Sequence, residues 1–355
     1  FLSFTQTISV TASWSYLDII WKATLMSSLA AFHLDTQQKI TAMIWTIVLA
    51  QGYSAYQINL QYFQDGYSFW ATNNWGWLDN NTYSVLTLPI IACSGALAVY
   101  SRHWWQRMIA GGIAVLQIHQ IMLLDSRGCM IAGVCMAVVF VINMPRSKNA
   151  ILSVSVLLLA GSLLAGPSVV KEFNSSFGDQ EGLDASAQSR YVLWRAGWQI
   201  TKDYPLLGVG PNCGKFLVPE YWDSDRTGTE RIETNNKALH NLFFEISTGC
   251  GLPAAILYTS HFILVVLVLL YYHWQRHSFP ATEHPLGMPM LAVIAGQPGY
   301  WVASMFSSGA LMESTYICLA VGAATLCVHA KMLPATRKLR QPVYGTAAEF
   351  GQSIA

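Results

Sequence analysis

The chain has 355 residues, of which 53% are hydrophobic and only 11% are charged. This apolar content exceeds what one soluble core can enclose, so the composition indicates a protein whose solvent is the lipid bilayer. The formal net charge of +1 gives no basis for nucleic acid as a partner, because phosphate binding needs a concentrated basic face.

Nine apolar runs approach the length of about 20 residues that a helix needs to cross the hydrocarbon layer. They lie near residues 17–34, 40–58, 83–100, 107–124, 128–144, 150–170, 250–272, 287–307 and 310–330. Helices are expected, because a segment in lipid must satisfy its own backbone amides. The chain opens on Phe1, which leaves room for further spans before it. The sequence therefore predicts an all-α integral membrane protein with about nine transmembrane helices.

Lysine and arginine residues collect in alternate connections between these spans. They are Lys39, Arg102, Arg107, Arg146, Lys148, Arg276, Lys331, Arg337, Lys338 and Arg340. Because cytoplasmic loops are enriched in Lys and Arg, these connections are predicted to face the cytoplasm of a multi-pass inner-membrane protein. The other, periplasmic side then receives a short loop near 59–82, the 125–127 turn, the segment 171–240 and the 307–309 turn.

The long polar segment holds 18 of the 39 charged residues in about a fifth of the chain. It is therefore predicted to be one large periplasmic loop domain and more than a connector. The predicted organisation is N-terminal transmembrane helices over 1–170, the loop domain over 171–240, C-terminal helices over 241–330 and a cytoplasmic tail over 331–355.

The strongest local pattern in this segment places Arg190, Trp194 and Trp198 at helical spacing, on one face of a helix. That arrangement suits a helix in the membrane interface with its tryptophans among the headgroups. Pro205 is predicted to end this helix, and the glycines at 208 and 210 permit a tight turn. The alternative is an anchoring helix whose arginine only reaches lipid phosphates.

A second pattern is His240–Asn241, followed by Glu245, at the point where the chain returns to the membrane. A histidine at the mouth of a span suits a proton acceptor near neutral pH. The alternative is a hydrogen-bonded structural histidine.

Two further patterns lie on the periplasmic side. The Asp125–Gly128 turn carries charges close to hydrocarbon, which are usually paired or functional, and an ion pair between Asp125 and Arg127 is the alternative. Residues 73–81 combine carboxamides with aromatic rings that suit sugar binding, or else form a capped loop before the next span.

The predicted orientation places six residues from separate parts of the chain on this one side: Asp79, Arg127, Arg190, Arg195, His240 and Glu313.

At these residues the chain resembles the O-antigen ligase and polymerase superfamily of bacterial envelope glycan enzymes. The most specific match is Arg190 and Trp194 with the motif from Asp203 through Pro205 to Gly210, followed by His240–Asn241. The turn 126–128 is similar to the family's earlier arginine turn, and residues 78–81 with Pro89 are similar to its O-glycosylation ligases. The resemblance extends from about residue 40 to 330.

The resemblance implies a GT-C-type membrane glycosyltransferase that takes glycan from undecaprenyl diphosphate at the periplasmic face. It implies that Arg127 and Arg190 hold the diphosphate while His240 acts as base toward the acceptor hydroxyl. Guanidinium groups suit this role because they bind phosphate oxygens with a permanent charge, so no metal or other cofactor is expected. Substrate binding is expected from Arg195, Asp79, Asn80, Trp194 and Glu313.

The expected partners are a polyprenyl diphosphate-linked glycan donor, an acceptor that is lipid, protein or glycan, and the bilayer. The sequence 251–254 departs from the family pattern, and the spans are fewer than usual. Both leave open a non-catalytic membrane subunit that packs against other membrane subunits and keeps the fold without the chemistry. A transporter would need polar residues near the midplane and an inverted repeat, which the sequence does not reveal.

Overall fold

A computed structural model of the chain describes residues 1–66, 79–164, 185–222, 238–275 and 285–339. All regular secondary structure in these ranges is helical. The α-helices in chain order are α1 (Val10–His33), α2 (Gln37–Asp65), α3 (Asn80–Tyr100), α4 (Trp104–Leu123), α5 (Arg127–Asn143), α6 (Lys148–Leu164), α7 (Ala185–Asp203), α8 (Gly214–Leu217), α9 (Leu242–Cys250), α10 (Leu252–Gln275), α11 (Gly287–Ser304) and α12 (Glu313–Leu339). Short 3-10 helices cover Leu2–Gln6 and Val218–Tyr221.

Each of the nine predicted spans corresponds to one helix, namely α1 to α6 and α10 to α12. By length and composition, α3, α10 and the Glu313–Met332 part of α12 can cross a membrane, and α5 and α6 are shorter apolar helices. The all-α class is thus confirmed, and the apolar helices are those of a membrane protein. The count of nine spans and the periplasmic loop domain stay predictions.

Helix α3 lies at the centre of the bundle, and 94% of its most apolar stretch of 18 residues is buried inside the protein. It packs most extensively against α11 and also contacts α2, α4, α5, α6 and α12. An apolar helix needs no polar face when other helices cover it on all sides. The sequence of α3 has the corresponding composition, with buried residues along almost its whole length.

Contacts at one end of the bundle join connections that were predicted to share the cytoplasmic side. His273 near the end of α10 donates a hydrogen bond to the backbone oxygen of Asn143 at the end of α5, 2.9 Å away. Asp35, between α1 and α2, lies within electrostatic range of Lys331 on α12. Two pairs of the connections that carry Lys and Arg therefore lie close together, and the orientation of the bundle stays a prediction.

A layer of polar side chains joins α2, α3 and α4 inside the bundle. Gln51 donates to Thr87 at 3.0 Å and to Gln120 at 3.3 Å, while Gln117 donates to Gln51 at 2.9 Å. Ser94 donates to Gln117 at 2.8 Å, and all five side chains are buried. The expectation that the spans lack interior polar residues was wrong, because these residues are spaced singly among apolar neighbours. The layer is uncharged and mutually hydrogen-bonded, which is how polar residues join helices in lipid.

The segment from Asp203 to Gly210, which follows α7, is hydrogen-bonded through its backbone to the end of α9 and the start of α10. Val209 donates its backbone N–H to Thr248 at 2.9 Å, and Leu252 donates to Pro205 at 2.8 Å. Gly208 has φ +67°, and a Cβ there would lie 2.5 Å from the carbonyl carbon of Gly249. The glycine therefore permits both the left-handed backbone and the close approach. This part of the motif is structural, and it fixes α7 relative to α9.

Helix α7 ends at Asp203, as predicted from Pro205. Trp198 is exposed, whereas the indole nitrogen of Trp194 is buried, so the two rings have different surroundings. The predicted tail from residue 331 begins inside α12, which continues to Leu339. Residues 67–78, 165–184, 223–237, 276–284 and 340–355 lie outside the described residues, so parts of the predicted loop domain and most of the predicted tail are not described.

Candidate functional site at one end of the bundle

The arginine turn between α4 and α5 is held by the start of α3. Asn80 donates from Nδ2 to the backbone oxygen of Leu124 at 2.8 Å, and Ser126 donates from Oγ to Asn81 Oδ1 at 2.8 Å. Asp125 has φ +49°, an uncommon backbone conformation for a residue other than glycine. These contacts fix the point at which Arg127 begins α5.

Asp79 has a structural task in the same junction. Its carboxylate accepts a hydrogen bond from the backbone N–H of Thr82 at 2.6 Å and so caps α3. Asp79 and Arg190 both lie within electrostatic range of Cys129, in the first turn of α5. The predicted site residues of α3, α5 and α7 therefore lie at the same end of the bundle.

Phe306, in the connection between α11 and α12, lies where α5 and α7 meet. A Cβ added to Gly128 would be 2.6 Å from the Cβ of Phe306, so α5 packs directly on this residue. The Trp194 ring centroid lies 6.1 Å from that of Phe306. Arg127 precedes Gly128, and Arg190 lies one helical turn before Trp194. The predicted diphosphate-binding arginines are therefore both close in sequence to residues that contact Phe306.

His240 is brought to the same connection by its neighbour. Asn241 caps α9, because its Oδ1 accepts from the N–H groups of Phe243 at 3.0 Å and Phe244 at 3.2 Å. Its Nδ2 donates to the backbone oxygen of Met305 at 3.0 Å. His240 itself has φ +48°. A non-glycine residue in this region costs about 1 kcal/mol or more, and such residues cluster at functional sites.

The other predicted site residues differ in how closely they join this arrangement. Arg195 is half-buried on α7. Glu313, the first residue of α12, is exposed, and its carboxylate acts electrostatically on Tyr316 of the same helix. Among the described residues, Glu313 takes no part in the contacts around Phe306.

Three residues at this end were given no role from the sequence. Phe306 and Ser308 belong to a turn whose sequence shows no catalytic pattern, so nothing in the sequence indicates them. Glu245 is a carboxyl group within an otherwise apolar stretch of α9, which is a usable sign. Burial raises the pKa of Glu245 to about 7, and the nearby Ser308 hydroxyl and Lys215 ammonium oppose this shift only in part.

An apolar cavity of about 450 Å³ runs between α3, α4, α5 and α6. It is lined by residues that include Ile91, Ile118, Met130, Ala137, Val154 and Leu158. One end is lined by Met122 and Cys129, beside the arginine turn. The cavity therefore begins next to Arg127 and extends along the bundle.

These observations define the class of protein: an all-helical, apolar bundle of the membrane type, with cationic and imidazole side chains gathered at one end. The comparison with protein families makes this more specific. Residues 112–259 match the family model described as O-antigen ligase. The match runs from α4 into α10 and includes Arg127, Arg190, Trp194 and His240. The resemblance to the O-antigen ligase and polymerase family, noted from the sequence, is confirmed over this part of the chain. A search of curated proteins gave no match.

Proposed function

We propose that this protein is a membrane glycosyltransferase that moves glycan from undecaprenyl diphosphate, or a similar polyprenyl diphosphate, to an acceptor hydroxyl at the periplasmic face. The O-antigen ligase family match supports glycan transfer in a membrane. The observation that carries the proposal is the convergence of three separate segments on Met305 and Phe306. These segments bear Arg127, Arg190 and His240.

Arg127 and Arg190 are proposed to bind the diphosphate of the donor. When the bond from the sugar to the diphosphate breaks, its electron pair goes to the diphosphate, whose negative charge increases. Two guanidinium groups in a site of low polarity stabilise that charge without the need for a metal ion. Residues that bind the leaving group in this way act most strongly in the transition state.

His240 is proposed to act as the base. Its neutral imidazole takes the proton from the acceptor hydroxyl while that oxygen attacks the sugar carbon and displaces the diphosphate. The left-handed backbone at His240 and the tie from Asn241 to Met305 support a fixed direction for this side chain. Such positioning supplies part of the rate enhancement in group transfer.

Arg195, Trp194 and Glu313 are proposed to bind the glycan portions of the substrates, and Asp79 and Asn80 to support the arginine turn. The lipid chain of the donor is proposed to enter the apolar cavity beside Cys129, where it would stay in apolar surroundings while its diphosphate reaches the arginines. The cavity's apolar lining and its position beside Arg127 support this.

The test uses purified protein in lipid nanodiscs with a polyprenyl diphosphate-linked glycan and candidate acceptors. His240→Ala and Arg190→Ala are each expected to lower transfer at least about a hundredfold. Matched controls are Arg102→Ala and His103→Ala, which remove the same side-chain types from exposed positions at the other end of the bundle. The controls should keep wild-type activity.

Two results would contradict the proposal. Normal transfer by both site variants would remove the assigned roles. Absence of transfer by the wild-type protein with every acceptor class would favour the alternative of a non-catalytic membrane subunit that keeps the fold.

A further inference from the structure

Helix α1 lies at the edge of the bundle and has two different faces. One face packs chiefly on α12 and contains the buried residues Ser13 and Tyr16. The start of the helix is joined to the chain that follows α7, because Ser13 donates from Oγ to the backbone oxygen of Pro211 at 2.8 Å. The opposite face of α1 is accessible along the whole helix.

The residues of this accessible face recur at alternating intervals of four and three. This spacing is that of the contact seam of a coiled coil, and it places the side chains on one side of the helix. We refer to the following residues, together with Lys22, as the α1 seam: Trp14, Asp18, Trp21, Leu25, Ser28 and Phe32. Trp14 and Phe32 are exposed at the two ends of the seam.

The middle of the seam carries an ion pair. Lys22 Nζ lies 2.6 Å from Asp18 Oδ2, and the Trp21 indole N–H donates to Asp18 Oδ1 at 3.1 Å. The side chains keep 37% of the Asp18 surface and 56% of the Lys22 surface accessible, so the described chain does not cover them.

The position of the pair along α1 corresponds to the interior of a membrane. With a rise of 1.5 Å per residue, Asp18 and Lys22 lie about 12 and 18 Å from Val10, where the helix begins. A helix that crosses about 30 Å of hydrocarbon therefore places both charges near the middle of the layer.

Other helices of the bundle expose apolar side chains at this depth. The exposed residues of α5 include Val134, Val138 and Ile142, and α10 contains no Asp, Glu, Lys or Arg. A charged side chain at the bilayer centre costs about 2.5–3.5 kcal/mol on insertion scales and almost always faces another helix or water. The α1 seam thus has the composition of a contact between helices, whereas α5 and α10 have that of a surface toward lipid.

We propose that the α1 seam is the contact surface between two copies of this chain, which pair through their α1 helices about a two-fold axis along the membrane normal. The inference rests on the predicted crossing of the membrane by α1, and it is independent of glycan transfer.

Charge complementarity favours a second copy as the occupant of the seam. A two-fold axis along the membrane normal keeps each residue at the same depth in both copies, so the two ion pairs meet. The ammonium group of Lys22 can then bind the Asp18 carboxylates of both copies, and the four charges are neutral overall. The alternating spacing brings the large apolar residues of the seam together on either side of this cluster.

The experiment measures association of the full chain in lipid vesicles, without turnover. The protein carries a fluorescent label at its C-terminus, and single-molecule photobleaching counts the copies per complex over a series of protein-to-lipid ratios. Asp18→Lys and Lys22→Asp are the test variants, alone and mixed. Asp35→Lys and Lys39→Asp are the matched controls, because they reverse a second accessible ion pair of the same types and spacing, 2.7 Å apart and outside α1.

We expect the wild type to form dimers, and each reversal in the seam to weaken self-association at least about tenfold, because like charges then face each other. An equimolar mixture of Asp18→Lys with Lys22→Asp should restore dimers that contain one copy of each variant, since two positive charges meet two negative ones. The two control variants should dimerise as the wild type does.

Three results would overturn the inference. They are a wild type that stays monomeric at every protein density, dimers that neither reversal weakens, and inserted variants that fail to form mixed dimers. If a reversed variant does not insert, the double change Asp18→Leu with Lys22→Leu decides the matter. It removes both charges and should weaken association at least about tenfold, because lipid covers leucine as well as a second helix does. Unchanged association of this double variant would also overturn the inference, and none of these results depends on the proposed transfer reaction.

Discussion

The side-chain nitrogen of Asn241 donates a hydrogen bond to the backbone oxygen of Met305, 3.0 Å away. The same side chain caps α9 through its oxygen. One residue therefore joins the start of α9 to the connection that also contacts α5 and α7. Since His240 immediately precedes Asn241, the position of the imidazole depends on this tie.

The two hydrogen-bonding roles of Asn241 are separable by substitution. Asn241→Asp keeps an oxygen for the cap but loses the donor and places a buried carboxylate oxygen against the Met305 oxygen, so we expect the melting temperature to fall and transfer to fall at least about tenfold. Asn241→Ala loses both roles and should also destabilise the protein by about 1 kcal/mol. Melting curves and transfer rates on the same preparations check this.

Equal losses of stability in the two variants would show that the hydrogen bond from Asn241 to Met305, and not the cap, stabilises this junction. Full activity of Asn241→Asp would show that the direction of His240 does not depend on Met305. Both measurements use the proposed transfer reaction, and the stability comparison stands without it.

The contact between Gly128 and Phe306 gives a second prediction. Gly128→Ala places a Cβ 2.6 Å from Phe306 Cβ, so one of the two segments must shift. Overpacking of this kind costs about 1–3 kcal/mol, and the displaced turn should lower transfer. Gly133→Ala on the same helix is the control, because its Cβ would lie 3.8 Å from the nearest atom, on Leu88. Similar melting temperatures for both variants would show that the connection between α11 and α12 can shift without a loss of stability.

Much of the helical framework follows from hydrophobic length alone. All nine predicted spans have a corresponding helix, and α7 ends where Pro205 indicates. The arginine turn, the 307–309 turn and the return at His240 also lie at one end, as the alternating Lys and Arg residues imply. These features are predictable because lipid imposes one simple requirement, a long apolar segment with satisfied amides.

Other features depend on three-dimensional contacts that no local pattern encodes. Phe306 resembles any apolar residue in a turn, and only its contact with Gly128 and Trp194 gives it a role. Asp79 was predicted to bind substrate, and the structure gives its carboxylate a cap as well. The polar layer was missed because Gln51 and Gln117 are isolated in their own helices and meet only after packing.

The polar layer is expected to stabilise the bundle. Gln117→Leu removes the donor to Gln51 Oε1 and leaves Ser94 with only the backbone oxygen of Ile90 as acceptor, so the variant should lose about 1–2 kcal/mol and melt at a lower temperature. The double variant with Gln51→Leu should lose less than the sum of the single changes, because the two residues share one interaction. Gln38→Leu, at an exposed position of α2, is the control. Strict additivity would contradict the coupling.

The apolar cavity predicts a dependence on the length of the donor's lipid chain. Ala137→Trp fills part of the cavity and should weaken undecaprenyl diphosphate binding about tenfold, while a donor with a geranyl chain is affected less. Val138→Trp, exposed on the same helix outside the cavity lining, should leave both donors unaffected. Equal effects on long and short chains would show that the lipid lies elsewhere.

The raised pKa of Glu245 predicts a stability cost that depends on pH. The ordinary pKa is 4.5 and the folded value is about 7, so between these values the folded protein binds more protons than the unfolded chain. The free energy of unfolding therefore falls as pH rises from about 4.5 to 7 and then levels off.

Glu245→Gln removes the titration and should stabilise the protein at pH 8 by up to about 3 kcal/mol. At pH 4.5 the difference in stability between the variant and the wild type should largely disappear. Glu220→Gln, the same change at an exposed carboxylate, should show no such dependence on pH. Melting curves in one detergent at both pH values check the sign of this difference in stability. If Glu245→Gln is less stable than the wild type at pH 8, the ionised carboxyl group is favourably bound in the folded state.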